Sequence, residues 1–385
     1  MGRRRGKAAE SGAQAAAGPA SEPACCSLAV SPSGNFVAVA YTSNLLIFDQ
    51  KRLEDVPIKT LMDPAQEQAS NVRTLLFDGS GRFLLATTDA KTGFVWQCSD
   101  WSLRYTFSLP KRATATACTA DNEHWILADK YGDVLAVPLE SEKDIEPALV
   151  LGHCSSILTS LSVSPSGSLL ATADRDEKIR VSRLPRHGAV LKGAPCIQTY
   201  CLGHTDYVSA VAFVSVEERL LLLSGGGDGT VRLWDPMSGK LLVTSPLPDG
   251  APSDAGVVSL APSSADPGLV QVLVDGELCI RQVRVRLEQG GEPALAWEGA
   301  LTWDYQPHAG AARGERFFVV GLAASGAALA WHAAGAGELE TKALELAPEG
   351  TSVDAPQRLL SHLQKVPPSE EEINFRKRQR RDLNA

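Results

Sequence analysis

One stretch of this chain admits few architectures. From Gly203 to Pro236 it reads GHTDYVSAVAFVSVEERLLLLSGGGDGTVRLWDP. The stretch opens on Gly-His, closes on Trp-Asp, and holds three short runs at 207–213, 219–224 and 230–234. These runs are rich in the β-branched and large apolar residues that fit a pleated, half-buried surface. Gly227-Asp228-Gly229 divides the last two runs. A tight antiparallel turn needs positive φ, which glycine adopts at no steric cost. The unit is therefore a small meander of strands, too small to be stable without neighbours to cover its faces.

Such neighbours are present. GHCSSILTSLSVSPSGSLLATADRDEKIRVSRL, from Gly152 to Leu184, repeats the plan, with Asp176 aligned on Asp228. Weaker copies lie at 28–49, 72–97, 113–137, 257–283 and 316–333. Each pairs β-runs with a Ser-Pro-Ser-Gly or similar turn, at the spacing of a four-stranded propeller blade. Seven such units, one of them running from Gly-His to Trp-Asp, predict an all-β fold, a seven-bladed WD-repeat β-propeller over 25–345. The last blade is expected to borrow a closing strand from the other end of the chain. Residues 1–24, rich in Ala, Gly and Arg, are expected to form a disordered arm, and 346–385 a C-terminal extension. Within that extension SEEEINFRKRQRRDLNA predicts a short basic helix, with Ser369 and Glu372 as a capping-box pair.

The formal net charge of -8 argues against a general nucleic-acid coat. The apolar stretches are strand-length, so no transmembrane helix is expected. The start, MGRRRGKAAE, lacks the apolar core of a secretory signal. The eight cysteines form no C-x-x-C pair and no zinc-finger spacing, and read as reduced thiols, mostly buried. No metal or cofactor is expected: there is no P-loop, no G-x-S-x-G elbow, no H-E-x-x-H and no doubly wound domain for a methyl donor.

Two constellations remain. His204, Ser224, Asp228 and Trp234 contain a Ser/His/Asp set, but in a WD blade these positions form a structural hydrogen-bond network. The preceding blade offers His153, Thr172 and Asp176, with Ser182 in the place of the tryptophan, so its network is expected to be incomplete. The second constellation is the charged turn of ADRDEKIRVS, 173–182, where an ordinary blade carries small residues. Aligning Asp129-Lys-Tyr-Gly with Asp174-Arg-Asp-Glu sets Lys130 beside Arg175 on matching rim positions. This turn is either a solvated loop or a charged docking rim; the residues alone leave both open.

The run ADRDEKIRVS, with CLGHTDYVS (201–209), SGGGDGTVRLW (224–234) and ILADKYGDV (126–134), resembles the WD-repeat, non-catalytic subunit of the eukaryotic tRNA (guanine-N7)-methyltransferase. The likeness covers roughly 120–240. It implies a propeller that docks and stabilises a catalytic subunit in a heterodimer, the complex methylating a guanine of the tRNA variable loop. It also implies that Arg175, Lys178, Arg180 and Lys130 face that subunit. By the same resemblance the basic run Arg376, Lys377, Arg378, Arg380 and Arg381 would contact tRNA; read alone, the run also suits a nuclear localisation signal, for a nuclear or nuclear and cytoplasmic protein. The rival readings are a generic WD-repeat interaction hub, in chromatin or ubiquitin-ligase assembly, and an enzyme using the propeller funnel.

Overall fold

The computed structural model describes residues 26–53, 57–62, 70–141, 145–153, 156–184, 197–323, 326–333, 339–344 and 363. The expected disordered arm (1–24), the expected C-terminal helix and Arg376, Lys377, Arg378, Arg380 and Arg381 lie outside them. Within them the chain forms seven four-stranded antiparallel sheets. Blade 1 runs from β1 (Cys26–Val30) to β4 (Lys59–Met62), blade 2 from β5 (Val72–Phe77) to β8 (Ser102–Ser108), and blade 3 from β9 (Ala113–Cys118) to β12 (Ala148–Gly152). Blade 4 runs from β13 (Leu158–Val163) to β16 (Ile197–Leu202) and blade 5 from β17 (Val208–Val216) to β20 (Leu241–Pro246). Blade 6 runs from β21 (Val257–Pro262) to β24 (Pro293–Thr302), and blade 7 from β25 (Gln306–Arg313) to β28 (Glu340–Leu344). A 3-10 turn, Gln50–Arg52, follows the third strand of blade 1. No helix among the described residues is long and apolar enough to cross a membrane.

Strand periodicity explains the packing. Successive side chains point to opposite faces of a sheet. In blade 1, Val37, Val39 and Tyr41 join a core shared with blade 7, while Ala38 and Ala40 join one shared with blade 2. Blade 4 divides likewise, with Leu170 facing blade 3 and Leu169, Ala171 and Ala173 facing blade 5. Seven such cores fill the seven gaps between neighbouring sheets. The first strands of the sheets touch one another in an unbroken ring, β25 meeting β1.

Closure departs from the expected strand exchange. Blade 7 consists of four consecutive strands, and so does blade 1. The seam is closed by side chains instead: Leu28, Val39 and Phe48 of blade 1 against Phe318, Leu329 and Trp331 of blade 7.

Two local devices recur. The first is the turn between the first and second strands. Ser31, Asp78, Thr119 and Ser164 each accept the amide of the residue five positions on, at 2.9, 2.7, 3.0 and 3.0 Å. Each such turn has positive φ three residues after the acceptor, at Gly34, Gly81, Asn122 and Gly167. The second device is a bulge at the start of the inner strand in blades 2 to 7, which sets aside Arg73, Thr114, Thr159, Ser209, Val258 and His308. The bulge hydroxyls stitch blades together: Thr159 donates to Val208 O of blade 5, and Ser209 to Val257 O of blade 6. Five of these residues line a cavity of about 220 Å³ at one mouth of the central channel.

Phe318 is fully buried at the closing seam. Phe318→Ala is expected to cost about 3–5 kcal/mol, as large-to-small core substitutions do. Hydrogen exchange of the variant should then rise first in blades 1 and 7, because no shared strand holds that seam.

Candidate functional site

Two sets of loops share one face of the ring, here the upper face: the turns between second and third strands, and the links from one blade to the next. Backbone bonds weld each turn to the link before it. Lys130 N donates to Arg112 O at 3.2 Å, Arg175 N to Ile157 O at 2.9 Å, Gly227 N to Tyr207 O at 2.8 Å, and Asp275 N to Gly256 O at 2.8 Å. Side chains on these turns therefore stand on a rigid rim.

In blade 5 the rim is held by the full expected network. Trp234 Nε1 donates to Ser224 Oγ at 2.8 Å, and His204 Nε2 lies 2.8 Å from the same oxygen. His204 Nδ1 lies 3.0 Å from Asp228 Oδ2. A carboxylate only accepts, so Nδ1–H donates to Asp228; Ser224 Oγ, which accepts from tryptophan, has both a proton and a second lone pair to offer Nε2. Asp228 also accepts from Thr205 N at 3.1 Å, Thr230 Oγ1 at 2.7 Å and Arg232 Nη2 at 3.2 Å. Burial alone would raise the Asp228 carboxyl; the His204 hydrogen bond and charge, then the Thr230 and Thr205 donors, outweigh it and hold the group at about 2, below its ordinary 3.8. Ser224 is wholly buried, so this Ser/His/Asp set offers no nucleophile to a substrate.

Blade 4 corrects the expected pairing. His153 Nε2 lies 2.7 Å from Thr172 Oγ1, but Nδ1 meets Asp174 Oδ2 at 3.2 Å, not Asp176. Asp174 stands where blade 5 has Gly226, and its carboxylate reaches inward from there. Its Oδ1 also takes the amides of Asp176 at 2.9 Å and Lys178 at 3.1 Å. Asp176 is left to the outer part of the turn. Ser182, in the place of the tryptophan, is held by Arg180, the counterpart of Arg232: its Nε donates to Ser182 Oγ at 3.0 Å and Nη1 to Gly152 O at 3.1 Å. The blade 4 network is thus built from other residues rather than left open.

The rim residues divide accordingly. Arg180 is buried and tied within its blade. Lys178 and Lys130 are exposed, and Arg175 is half-buried. Among the described residues the Arg175 guanidinium has no acceptor, and its Nε is buried without one. Lys130 and Arg175 do occupy equivalent places. Asp129 Oδ1 takes the amides of Tyr131 at 2.7 Å and Asp133 at 3.0 Å, the pattern of Asp174 one blade on. Gly132 completes the blade 3 turn at φ 104°, where an added Cβ would lie 2.9 Å from two carbonyl oxygens. Blade 4 puts Glu177 at φ 72° in the corresponding place.

Sequence reasoning missed two features. Blade 6 replaces the histidine network with an ion pair, Arg281 Nη2 to Glu277 Oε1 at 2.6 Å. The signal was Glu277-x-Cys279-x-Arg281, the counterpart of Asp228-x-Thr230-x-Arg232. The other is Leu363, buried against Tyr207 and Val258 and lining the channel-mouth cavity. His308, in the blade 7 bulge, is held down to about 4 by burial and is neutral near pH 7. Burial pushes the Cys98, Cys118, Cys201 and Cys279 thiols up to about 12, so they remain protonated.

Comparison with known proteins bears on which propeller this is. A family profile described as the tRNA methyltransferase TRM82 WD40 domain matches residues 49–148 and 140–276, together more than half of the chain. The chain belongs to that family. A mouse relative, named tRNA (guanine-N(7)-)-methyltransferase non-catalytic subunit WDR4, is 38% identical over 180 residues, 46% of this chain and 41% of its own. The relative of the same name from Dictyostelium discoideum is 30% identical over 236 residues, 56% of this chain and 47% of its own. The matched part is thus less than half the length of each of these relatives. Solved structures agree on the fold. A chain of the mitotic checkpoint complex superposes with a TM-score of 0.64 at 16% identity, covering 80% of this chain and 90% of that one. The RRP9 WD40 repeats superpose with a TM-score of 0.62 at 15% identity, covering 77% and 87%.

Asp228→Asn is expected to destabilise the protein by roughly 2–3 kcal/mol, since it weakens several buried hydrogen bonds at once. Asp228 has a folded-state value below its unfolded one, so its ionised form contributes stability above about pH 4, lost as pH falls toward 2. Urea midpoints of wild type and variant should therefore converge as the pH is lowered through that window.

Proposed function

We propose that this chain is the non-catalytic scaffold of a tRNA (guanine-N7)-methyltransferase. Its upper rim on blades 3 and 4 docks and steadies a separate catalytic subunit, which carries the methyl-donor site and forms N7-methylguanosine in the tRNA variable loop. The observation that carries this reading is Arg175. Its guanidinium stands on a welded rim with a buried nitrogen that has no acceptor, inside the segment that the family profile matches. A buried donor without a partner is costly and rare, and a carboxylate from a second protein would satisfy it. Lys178 and Lys130 flank it as exposed charges, while Arg180 holds the turn from within the blade.

The C-terminal basic run fits the same scheme. Leu363 is seated at the channel mouth on the upper face. Twelve residues lie between it and Arg376, so the start of that run is tethered within about 45 Å of the mouth even if fully extended. In this reading the run adds phosphate contacts for the tRNA and serves as a nuclear address.

Arg175→Glu should weaken binding to the catalytic subunit by at least about 2 kcal/mol, roughly thirtyfold, with the circular dichroism of the propeller unchanged. Arg175→Lys should fail to restore it if the contact is bidentate. Normal co-purification of Arg175→Glu with its methyltransferase would remove the rim assignment. Deleting 376–385 should leave docking intact and make the salt dependence of tRNA binding by the complex shallower, by up to about 0.9 log-log units per lost phosphate contact. An unchanged slope with lost nuclear accumulation would leave the run a localisation role alone.

A further inference from the structure

Next to the docking rim, the upper ends of blades 2 and 3 hold cations that take part in no ion pair among the described residues. Lys91 lies in the turn after β6 (Phe83–Thr88), Lys111 in the link between blades 2 and 3, and Lys130 with Tyr131 in the blade 3 turn. The three loops are one unit. Leu109 N donates to Lys91 O at 2.7 Å, and Lys130 N to Arg112 O at 3.2 Å. Tyr131 is 56% exposed. The Lys111 ammonium stands 4.3 Å from the centre of its ring and that of Lys130 5.7 Å. The ring fixes where these charges stand without neutralising them.

The acids of this face do not neutralise them either. Asp89 is engaged by Arg73, at 2.5 and 2.9 Å, and by Arg112 at 3.3 Å. Asp129 is buried and accepts backbone amides. Asp133 stays half-buried, its carboxyl raised by burial and then by Asp129. On the opposite face Arg82 pairs with Glu140, and Arg284 with Asp266 and Glu298, while Lys51, Lys240 and Arg316 sit on separate blades. What sets the upper cluster apart, in a chain of net charge -8, is that two ammoniums gather over one exposed ring with a third lysine on the loop bonded to their link.

The geometry points to a phosphate-binding platform: Lys91 and Lys111 contact the backbone of the tRNA held by the complex, and Tyr131 is a positioning residue for the Lys111 ammonium. This rests on the scaffold reading above. An RNA backbone fits better than a second protein face for two reasons. Lysine is a compact, hydrated point charge suited to phosphate, with little of the fork geometry that carboxylates reward. The platform also offers no desolvated pocket around an apolar anchor, which protein hot spots need, whereas phosphate binding needs only charge and counterion release.

The test uses the full chain assembled with its catalytic subunit and a substrate tRNA, with affinity measured between about 50 and 200 mM salt. A Lys91→Gln, Lys111→Gln double variant should keep complex formation. It should lose about fivefold in tRNA affinity per lysine near 0.15 M salt, with the log-log slope shallower by up to about 0.9 per lysine on duplex-like RNA. Tyr131→Ala should lose about two- to fivefold, and Tyr131→Phe should restore it, because the ring and not the hydroxyl holds the charges. Unchanged affinity and slope in the double variant would overturn the platform. So would loss of the catalytic subunit, which would assign this face to protein docking. If wild type itself failed to bind a catalytic subunit, the scaffold reading would fall; the same variants would then be compared as free chains binding tRNA at low salt. A wild-type advantage there keeps the platform, and none removes it.

Discussion

Everything in this molecule depends on the burial of both faces of each small sheet against its neighbours. A four-stranded meander with apolar residues on both faces cannot stand alone. Alternation along the middle strands sends Val37 and Val39 one way and Ala38 and Ala40 the other. Repeated around the ring, this leaves the sheet faces no choice but closure. Closure is complete through side chains, with Phe318 and Trp331 of blade 7 packed against blade 1. The stitching hydroxyls of Thr159 and Ser209 then hold the inner ends of adjacent blades in register.

A frame held in this way can tolerate variation on its rim. Blade 5 keeps the tryptophan, serine, histidine and aspartate network, and the turn above it is small. Blade 4 moves the carboxylate to Asp174 and ties Ser182, in the tryptophan's place, to Arg180. Its turn also lacks the glycine that blades 3 and 5 carry there, Glu177 adopting the positive φ instead. What the blade provides is a rigid turn carrying Arg175 and Lys178 on its outer side. Blade 6 solves the same problem with Glu277 and Arg281. The same backbone plan therefore carries three different side-chain networks, and of blades 4 and 5, which share the histidine network, the less regular one carries more charge on its turn.

Most of the fold was legible because the strand and turn signals are local. The Gly203 to Pro236 unit and the Ser-Pro-Ser-Gly turns mark strands by chemistry that acts within a few residues. Blade 7 was harder. Its first strand, QPHAGAAR, has little β-branched character, and its place in the sheet comes from packing on its neighbours. The absence of a shared closing strand is likewise a long-range result that no local pattern encodes. In the site, the equivalence of Lys130 and Arg175 was readable from aligned turns. The partner of His153 was not: alignment chose Asp176, whereas geometry favours the aspartate two residues earlier, whose carboxylate can reach inward. Burial of Arg180 was readable only from its blade 5 counterpart, Arg232, which is buried to the same extent beside Trp234.

The central claim is that a catalytic subunit docks on the upper rim of blades 3 and 4. Hydrogen–deuterium exchange of the full chain, free and bound to its methyltransferase subunit, tests it most directly. The account predicts slowed exchange at 129–133 and 174–178, with the lower turns at 78–82 and 164–168 unchanged. Protection confined to the lower face or to the outer strands of other blades, with 174–178 exchanging as in the free chain, would contradict it.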